Sequence, residues 1–199
     1  MHIQDQHLIE RKVDSAELLK GSFLHAFRDT VQLPDGSMAT REYVQHPGAV
    51  MVVPMLDDGR LVMERQYRYP LQQVMVEFPA GKLDAGESTF ACAQRELLEE
   101  TGYSATEWAR AGVLHPVIAY STEFIEIWFA RGLSLGERRL DAGEFLDVFT
   151  ASLPELLLWC RDGQVTDGKT LTAALWLQNL ASGAWTLDWQ PAATQATAG

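Results

Sequence analysis

The apolar residues fall into short runs broken by turn residues, the pattern of a chain rich in strands. Phe23–Val31 and Met38–His46 read as two strands joined by the turn Leu33-Pro34-Asp35-Gly36, a β-hairpin. Ala49–Leu56 is apolar and β-branched, and Asp57-Asp58-Gly59 turns the chain back into Leu61–Tyr67, which predicts a second hairpin. Val74–Phe78 is a short strand stopped by Pro79, and Ala111–Leu114, Glu123–Ala130 and Phe145–Phe149 read as further strands. Three segments read as helices: Ser88–Thr101, with Ser88 as N-cap and Gly102 past its end, then Leu153–Arg161 and Lys169–Leu180. The polar first twenty residues predict at most a short helix at Ser15–Lys20. The segment Gln190–Gly199 has no aliphatic bulk beyond alanine and is expected to be disordered. Strands outnumber helices and the helices come late, so the expected fold class is α+β, a mixed sheet flanked by helices.

Composition narrows the possibilities. A chain of 199 residues fits one domain with an appendage and needs no disulfide or structural metal to fold. Its 16 Lys and Arg against 27 Asp and Glu give a net charge of −11, which repels nucleic-acid backbones and anionic membranes. Neither is expected as a partner. A phosphate-bearing substrate would need arginines or a divalent cation placed at the site. Cys92 and Cys160 lack the spacing of a zinc site or a disulfide framework, and the five histidines have no metal-like spacing. No apolar run approaches the ~20 residues that span a bilayer. The polar N-terminus reads as no secretory signal, so a cytoplasmic location is expected.

One stretch carries candidate chemistry: Gly81-Lys82-Leu83-Asp84-Ala85-Gly86-Glu87, then Arg95-Glu96-Leu97-Leu98-Glu99-Glu100-Thr101-Gly102-Tyr103. On a helix, Glu96, Glu99 and Glu100 stand at i, i+3 and i+4 and share one face. Phe90, Ala93, Leu97, Leu98 and Thr101 are then offered to a core on the opposite face. Clustered carboxylates suit a hard divalent cation with oxygen ligands, and magnesium fits. Glu87 lies just before the helix, where negative charge suits its positive end. Gly81 and Gly86 make a tight loop whose backbone can approach a metal or substrate. A solvated glutamate face is the ordinary alternative, but it leaves the loop and its spacing unexplained.

That spacing resembles the signature of the Nudix hydrolases: Gly, five residues, Glu, seven residues, then Arg-Glu-aliphatic-any-Glu-Glu-any-Gly-aliphatic. Only Tyr103, at the last aliphatic position, departs from it. The resemblance implies a Nudix fold, an α/β/α sandwich, over residues 47–187; the strand pattern sets an N-terminal β-hairpin extension over 1–46 before it, and the composition of the C-terminus a disordered tail over 188–199 after it. It implies hydrolysis of a nucleoside diphosphate linked to another moiety, with Mg2+ or alternatively Mn2+. Glu96, Glu99 and Glu100 match the metal-binding glutamates, Arg95 the arginine that pairs with Glu87 and orients the motif, and the Ala80 backbone carbonyl a common metal ligand.

The flanking segments His46-Pro47-Gly48-Ala49-Val50, Arg65-Gln66-Tyr67-Arg68, Glu77-Phe78-Pro79-Ala80-Gly81 and Asp167-Gly168-Lys169-Thr170 resemble the ADP-ribose pyrophosphatase group, which widens the resemblance to Met38–Leu180. The implied reaction takes ADP-ribose to AMP and ribose 5-phosphate. A GDP-mannose or other nucleotide-sugar pyrophosphatase is the alternative within the family, and a non-catalytic Nudix nucleotide sensor the alternative outside catalysis. Where that group carries a proline-bearing loop, this chain has Tyr120-Ser121-Thr122-Glu123, with Pro116 earlier. Substrate contacts are expected from Arg68 to phosphate, from Glu77 to a ribose or a metal-bound water, and from the loop at Gly81. Arg41 is expected to reach the substrate of its own or a partner subunit, since the group suggests a homodimer built on the extension. The general base is expected at Glu144, in the loop Asp141-Ala142-Gly143-Glu144 with Gly143 as hinge; Asp141 and Glu99 are the alternatives.

Overall fold

A computed structural model describes residues 3–140 and 142–192. The chain divides into two compact units, one running to Pro47 and taking in Val117–Glu123, the other made of Gly48–Pro116 and the chain from Phe124 onward.

The N-terminal unit is a three-stranded antiparallel sheet of β1 (Arg11–Lys20), β2 (His25–Gln32) and β3 (Met38–Gln45), with β2 in the centre. The expected hairpin is β2–β3. The expected helix at Ser15–Lys20 is instead the second half of β1, paired with β2 from Ser15↔Asp29 to Lys20↔His25. Its register shifts between Lys12 and Asp14 and again between Glu17 and Leu19. Each shift resets the alternation of faces, and every residue of β1 is exposed, so the strand leaves no period-2 signal in the sequence. Asp29 ties the sheet together: it accepts from Ser15 Oγ at 2.6 Å and Tyr43 Oη at 3.3 Å and faces Lys12 Nζ at 3.5 Å. The Ser15 bond, aided by Lys12 and Tyr43, outweighs burial and holds its carboxyl below the usual range. Thr122 N–H and Tyr120 C=O pair with the two backbone groups of Val44, adding residues 117–123 to this unit.

The larger unit holds β4 (Ala49–Pro54), β5 (Leu61–Arg68), β6 (Gln73–Glu77), β7 (Ala80–Lys82), α1 (Thr89–Thr101), β8 (Tyr103–Leu114), β9 (Ile125–Leu135), β10 (Leu146–Ala151), α2 (Leu153–Arg161), α3 (Gly168–Ala181) and β11 (Gln190–Pro191). Its strands form a five-stranded sheet, β11-β8-β9-β4-β7, and a three-stranded sheet, β10-β5-β6. The larger sheet is mixed because β4 and β9 run parallel while its other pairs are antiparallel. The fold class is therefore α+β, as the sequence predicts.

β4 is buried along its whole length, which is why it reads as a continuous apolar run rather than an alternating one. Val50 and Val52 pack with Phe90, Ala93 and Leu97 of α1 on one face. Met51 and Val53 pack on the other with Met63 of β5, Leu156 of α2 and Ala173 and Leu177 of α3. The sheet thus lies between α1 and the layer of α2, α3 and the smaller sheet. Strand β8 begins at Tyr103, well before the expected Ala111, and its bulge between Arg110 and Gly112 hides the longer strand from a period-2 reading. Gln190 and Pro191, expected in a disordered tail, pair with Trp108 and Glu107; residues 193–199 of that tail lie outside the described residues. No helix among the described residues is long and apolar enough to cross a membrane.

Candidate active site

The site begins with the phase of α1. Ser88 Oγ accepts from Ala91 N–H at 3.2 Å at the start, and Gly102 closes the helix at φ 78°, donating its N–H to Leu98 O at 2.9 Å. With that phase set, Phe90, Ala93 and Leu97 enter the core. Leu98, expected beside them, points outward at 39 % exposure, because a step of 100° carries it off the face that Leu97 occupies. Glu96 and Glu100 lie buried on the helix, at 9 % and 2 % exposure, with Glu99 partly exposed. This glutamate face is not a solvated one.

Gly81 makes room for Glu96. A Cβ at residue 81 would stand 1.8 Å from Glu96 Oε1 and 2.0 Å from Cδ, so the carboxylate lies against bare backbone. We expect Gly81→Ala to push Glu96 out of place and lower stability by about 1–3 kcal/mol, the usual cost of overpacking a tight site. Thermal unfolding checks this; a variant with the wild-type melting temperature would show that Glu96 has room to move.

Arg95 organises the loop. Its Nε and Nη2 donate to Glu87 at 2.9 and 2.8 Å, Nη1 to Glu96 Oε1 at 2.7 Å and Glu99 Oε2 at 3.1 Å, and Nη2 also to the Lys82 carbonyl at 3.1 Å. Arg95 foremost, with the Asp84 N–H, holds Glu87 down to about 2. Cys92 is fully buried beneath this cluster with its thiol 3.3 Å from the Lys82 carbonyl, and burial pushes the thiol well above its usual range. That suits packing rather than nucleophilic attack. The Ala80 N–H donates to Glu100 Oε2 at 2.9 Å, fixing the far end of the acidic face against β7.

A second set of charges comes from β5, β6 and α3. Arg68 forms a two-bond pair with Glu77, at 2.7 and 2.8 Å, and Lys169 donates to the same carboxylate. Burial alone would raise Glu77, but Arg68 and Lys169 outweigh it and hold the group below its usual range. Asp167 caps α3, accepting from Thr170 N–H at 3.0 Å, from Thr170 Oγ1 at 2.6 Å and from Lys169 Nζ at 3.0 Å, while Phe78 N–H donates to Thr170 Oγ1 at 3.3 Å. The segment Asp167–Thr170 thereby docks α3 onto the Glu77 strand.

Glu64 and Lys169 belong to this cluster; the sequence gives Glu64 no role, and marks Lys169 only as part of the segment Asp167–Thr170. Glu64 is fully buried on β5, directly opposite Glu77 in the β5–β6 register. On β5 Glu64 shares its phase with buried Val62 and half-buried Arg68. Glu144 is half-buried, and its negative charge bears on Glu64, Glu96 and Glu100. Asp141 lies outside the described residues. Arg41 belongs to the N-terminal unit, where it pairs with Glu10.

Crowded charge shows in the carboxyls. Burial, against the pull of Arg95, pushes Glu96 up to about 6. Burial first, then the repulsion of neighbouring carboxylates (Glu77 beside Glu64, Glu64 and Glu96 beside Glu100), raises both Glu64 and Glu100. A carboxyl raised in this way binds more protons folded than unfolded, so its contribution to stability is full below the usual 4.5 and is lost as pH rises through about 6 for Glu96, with the Glu64–Glu100 pair extending the loss further. Glu87 works the other way, but its contribution fades only as pH falls from 4.5 toward about 2. Metal-free protein is therefore expected to melt at a lower temperature at pH 8 than at pH 5, and a divalent cation should remove most of the difference. A melting temperature that rises steadily over that range in EDTA would contradict this electrostatic picture.

The donor set consists of oxygens alone, which suits a hard dication. Both carboxylate oxygens of Glu64 are buried without a hydrogen-bond partner, as expected where a cation belongs. Among the described residues no three carboxylates form a ready-made cage, and Arg95 supplies the positive charge next to Glu96 and Glu99. The residues fit the group, with side-chain adjustment on binding.

Comparison with known proteins follows the same line. Residues 45–173 match the NUDIX domain, and the chain belongs to the Nudix family. It is a Nudix pyrophosphohydrolase, and hydrolases of this family generally use a divalent metal. An ADP-ribose pyrophosphatase of Bacillus subtilis is 36% identical over 86% of this chain and 94% of its own. A methanol dehydrogenase activator of Bacillus methanolicus is 38% identical over 85% and 92%. A crystal structure of an ADP compounds hydrolase superposes with a TM-score of 0.79, covering 88% of this chain and 95% of the other; at 21% identity this likeness speaks to the fold.

Proposed function

We propose that the protein hydrolyses ADP-ribose to AMP and ribose 5-phosphate with Mg2+ or Mn2+. The observation that carries this reading is the buried acidic face of α1, with Glu96 against Gly81 and Glu100 on the Ala80 N–H, in a chain 36% identical to an ADP-ribose pyrophosphatase across 94% of the latter's length. Glu96, Glu99, Glu100 and the Ala80 carbonyl would hold the cation. Once bound, it supplies neutralisation of the pyrophosphate charge and acidification of water. Arg95 keeps Glu87, Glu96 and Glu99 in a fixed arrangement. Arg68, with Glu77 as its partner, presents its remaining guanidinium N–H groups to a phosphate. Glu77 and the loop at Gly81 border the sugar. Glu144 takes the proton of the attacking water; the new bond forms to phosphorus, the bridging P–O bond breaks, and the leaving phosphate departs as a dianion or is protonated by solvent.

A panel of ADP-ribose, GDP-mannose, ADP-glucose, NADH and diadenosine polyphosphates, each with magnesium and with manganese, tests the substrate. ADP-ribose is expected to give the highest kcat/KM. A preference for GDP-mannose would move the assignment to that alternative, and turnover of none would favour a nucleotide sensor.

The same reading includes a homodimer formed through the N-terminal strands, with Arg41 near the substrate, in a reducing cytoplasmic setting that suits two free thiols. Support comes from β1, an edge strand whose Val13, Leu18 and Leu19 are all about half exposed or more. Light scattering should give twice 22.2 kDa; a particle of 22.2 kDa at micromolar concentration would refute the dimer.

A further inference from the structure

Glu64 has no role in the proposed hydrolysis. Its exposure is zero and neither carboxylate oxygen has a hydrogen-bond partner. Burying a carboxylate in that condition is costly, and native proteins keep such groups only where something compensates them. The nearby cations are already committed. Arg68 gives two donors to Glu77, and Lys169 is shared between Glu77 and Asp167. The remaining charged neighbours are acids: Glu77 directly across the β5–β6 pair, Glu100 on α1 and Glu144. Glu64 therefore stands among three other carboxylates, and neither Arg68 nor Lys169 donates a hydrogen bond to it.

We propose that Glu64 is itself a metal ligand, forming with Glu100 a two-carboxylate site for a divalent cation. The inference rests on the cation reading of the α1 face and extends it to a residue of the smaller sheet. Two carboxylates are a sufficient protein contribution for magnesium or manganese, because such ions keep several waters and take their other ligands from substrate phosphates. The pairing also explains why an acid stands at a strand position that apolar Val62 shares in phase. A dication there balances Glu64 and Glu100 together, whereas an apolar residue at position 64 would leave Glu100 facing the ion alone.

The test is Mn2+ binding to the full chain without substrate, followed by electron paramagnetic resonance of the free ion, together with thermal unfolding. Glu64→Gln and Glu64→Met are compared with the wild type, with Glu96→Gln as a reference for the α1 set. Both Glu64 variants are expected to lose one Mn2+ equivalent or to bind it at least tenfold more weakly. They should melt no lower than the wild type without metal, and Mn2+ should raise their melting temperature less. Wild-type stoichiometry and affinity in both Glu64 variants, with loss in Glu96→Gln, would overturn the inference and leave the α1 reading standing. Wild-type binding in all three variants would overturn the α1 reading as well.

Discussion

Glu100→Gln is expected to lower kcat/KM by about 10³-fold or more, equivalent to about 4 kcal/mol of transition-state stabilisation, while the protein stays folded. Glu100 is buried, and its Oε2 accepts the Ala80 N–H. A glutamine keeps the shape and an oxygen acceptor for that bond but removes the charge. Burial and the repulsion of Glu64 and Glu96 already disfavour that charge in the metal-free protein, so the variant should be as stable as the wild type in EDTA, or more so. The catalytic loss should therefore appear without a loss of fold. Rates across a magnesium titration and metal-free melting curves separate the two effects. Wild-type turnover at limiting magnesium would end the metal role of Glu100.

A second large effect is expected at Glu144. Glu96, Glu99 and Glu100 are engaged by Arg95, Ala80 and the proposed cation, which leaves the carboxylate on the loop before β10 to handle the proton. Gly143 adopts φ 91°, a left-handed conformation that leaves the loop room to re-aim its neighbour. Glu144→Gln should lower kcat by ~10²–10⁴ with little change in KM, the pattern of an interaction made mainly in the transition state. Asp141→Asn should cost much less. If Asp141→Asn is the damaging change and Glu144→Gln the silent one, the base is Asp141; if both are silent, Glu99 takes the role.

The helix that bears the site was legible because its signals are local. Ser88, Gly102 and the i, i+3, i+4 spacing of Glu96, Glu99 and Glu100 all lie within fifteen residues, and each follows from helix geometry. The glycine at position 81 was visible, but not its reason: only the fold shows that Glu96 occupies the space a side chain would take. Glu64, and the role of Lys169 within its segment, were hidden because their meaning is non-local. Glu64 becomes unusual only when β6 places Glu77 opposite it and α1 brings Glu100 near, and Lys169 matters only once Asp167 and Thr170 dock α3 against the strand of Glu77. Helix and strand errors had a similar source. Strand β1 carries two register shifts and no buried residue, and β8 carries a bulge, so alternation failed where the backbone pairing nevertheless holds. Leu98 looked like a core residue by type, and the phase of α1 turned it outward.

The most direct measurement is product analysis on protein stripped with EDTA and given ADP-ribose. The buried acidic face of α1 predicts no cleavage until magnesium or manganese is added, then AMP and ribose 5-phosphate in equal amounts. Cleavage that persists in excess EDTA, or intact ADP-ribose in the presence of both metals, would contradict a metal-dependent pyrophosphatase built on Glu96, Glu99 and Glu100.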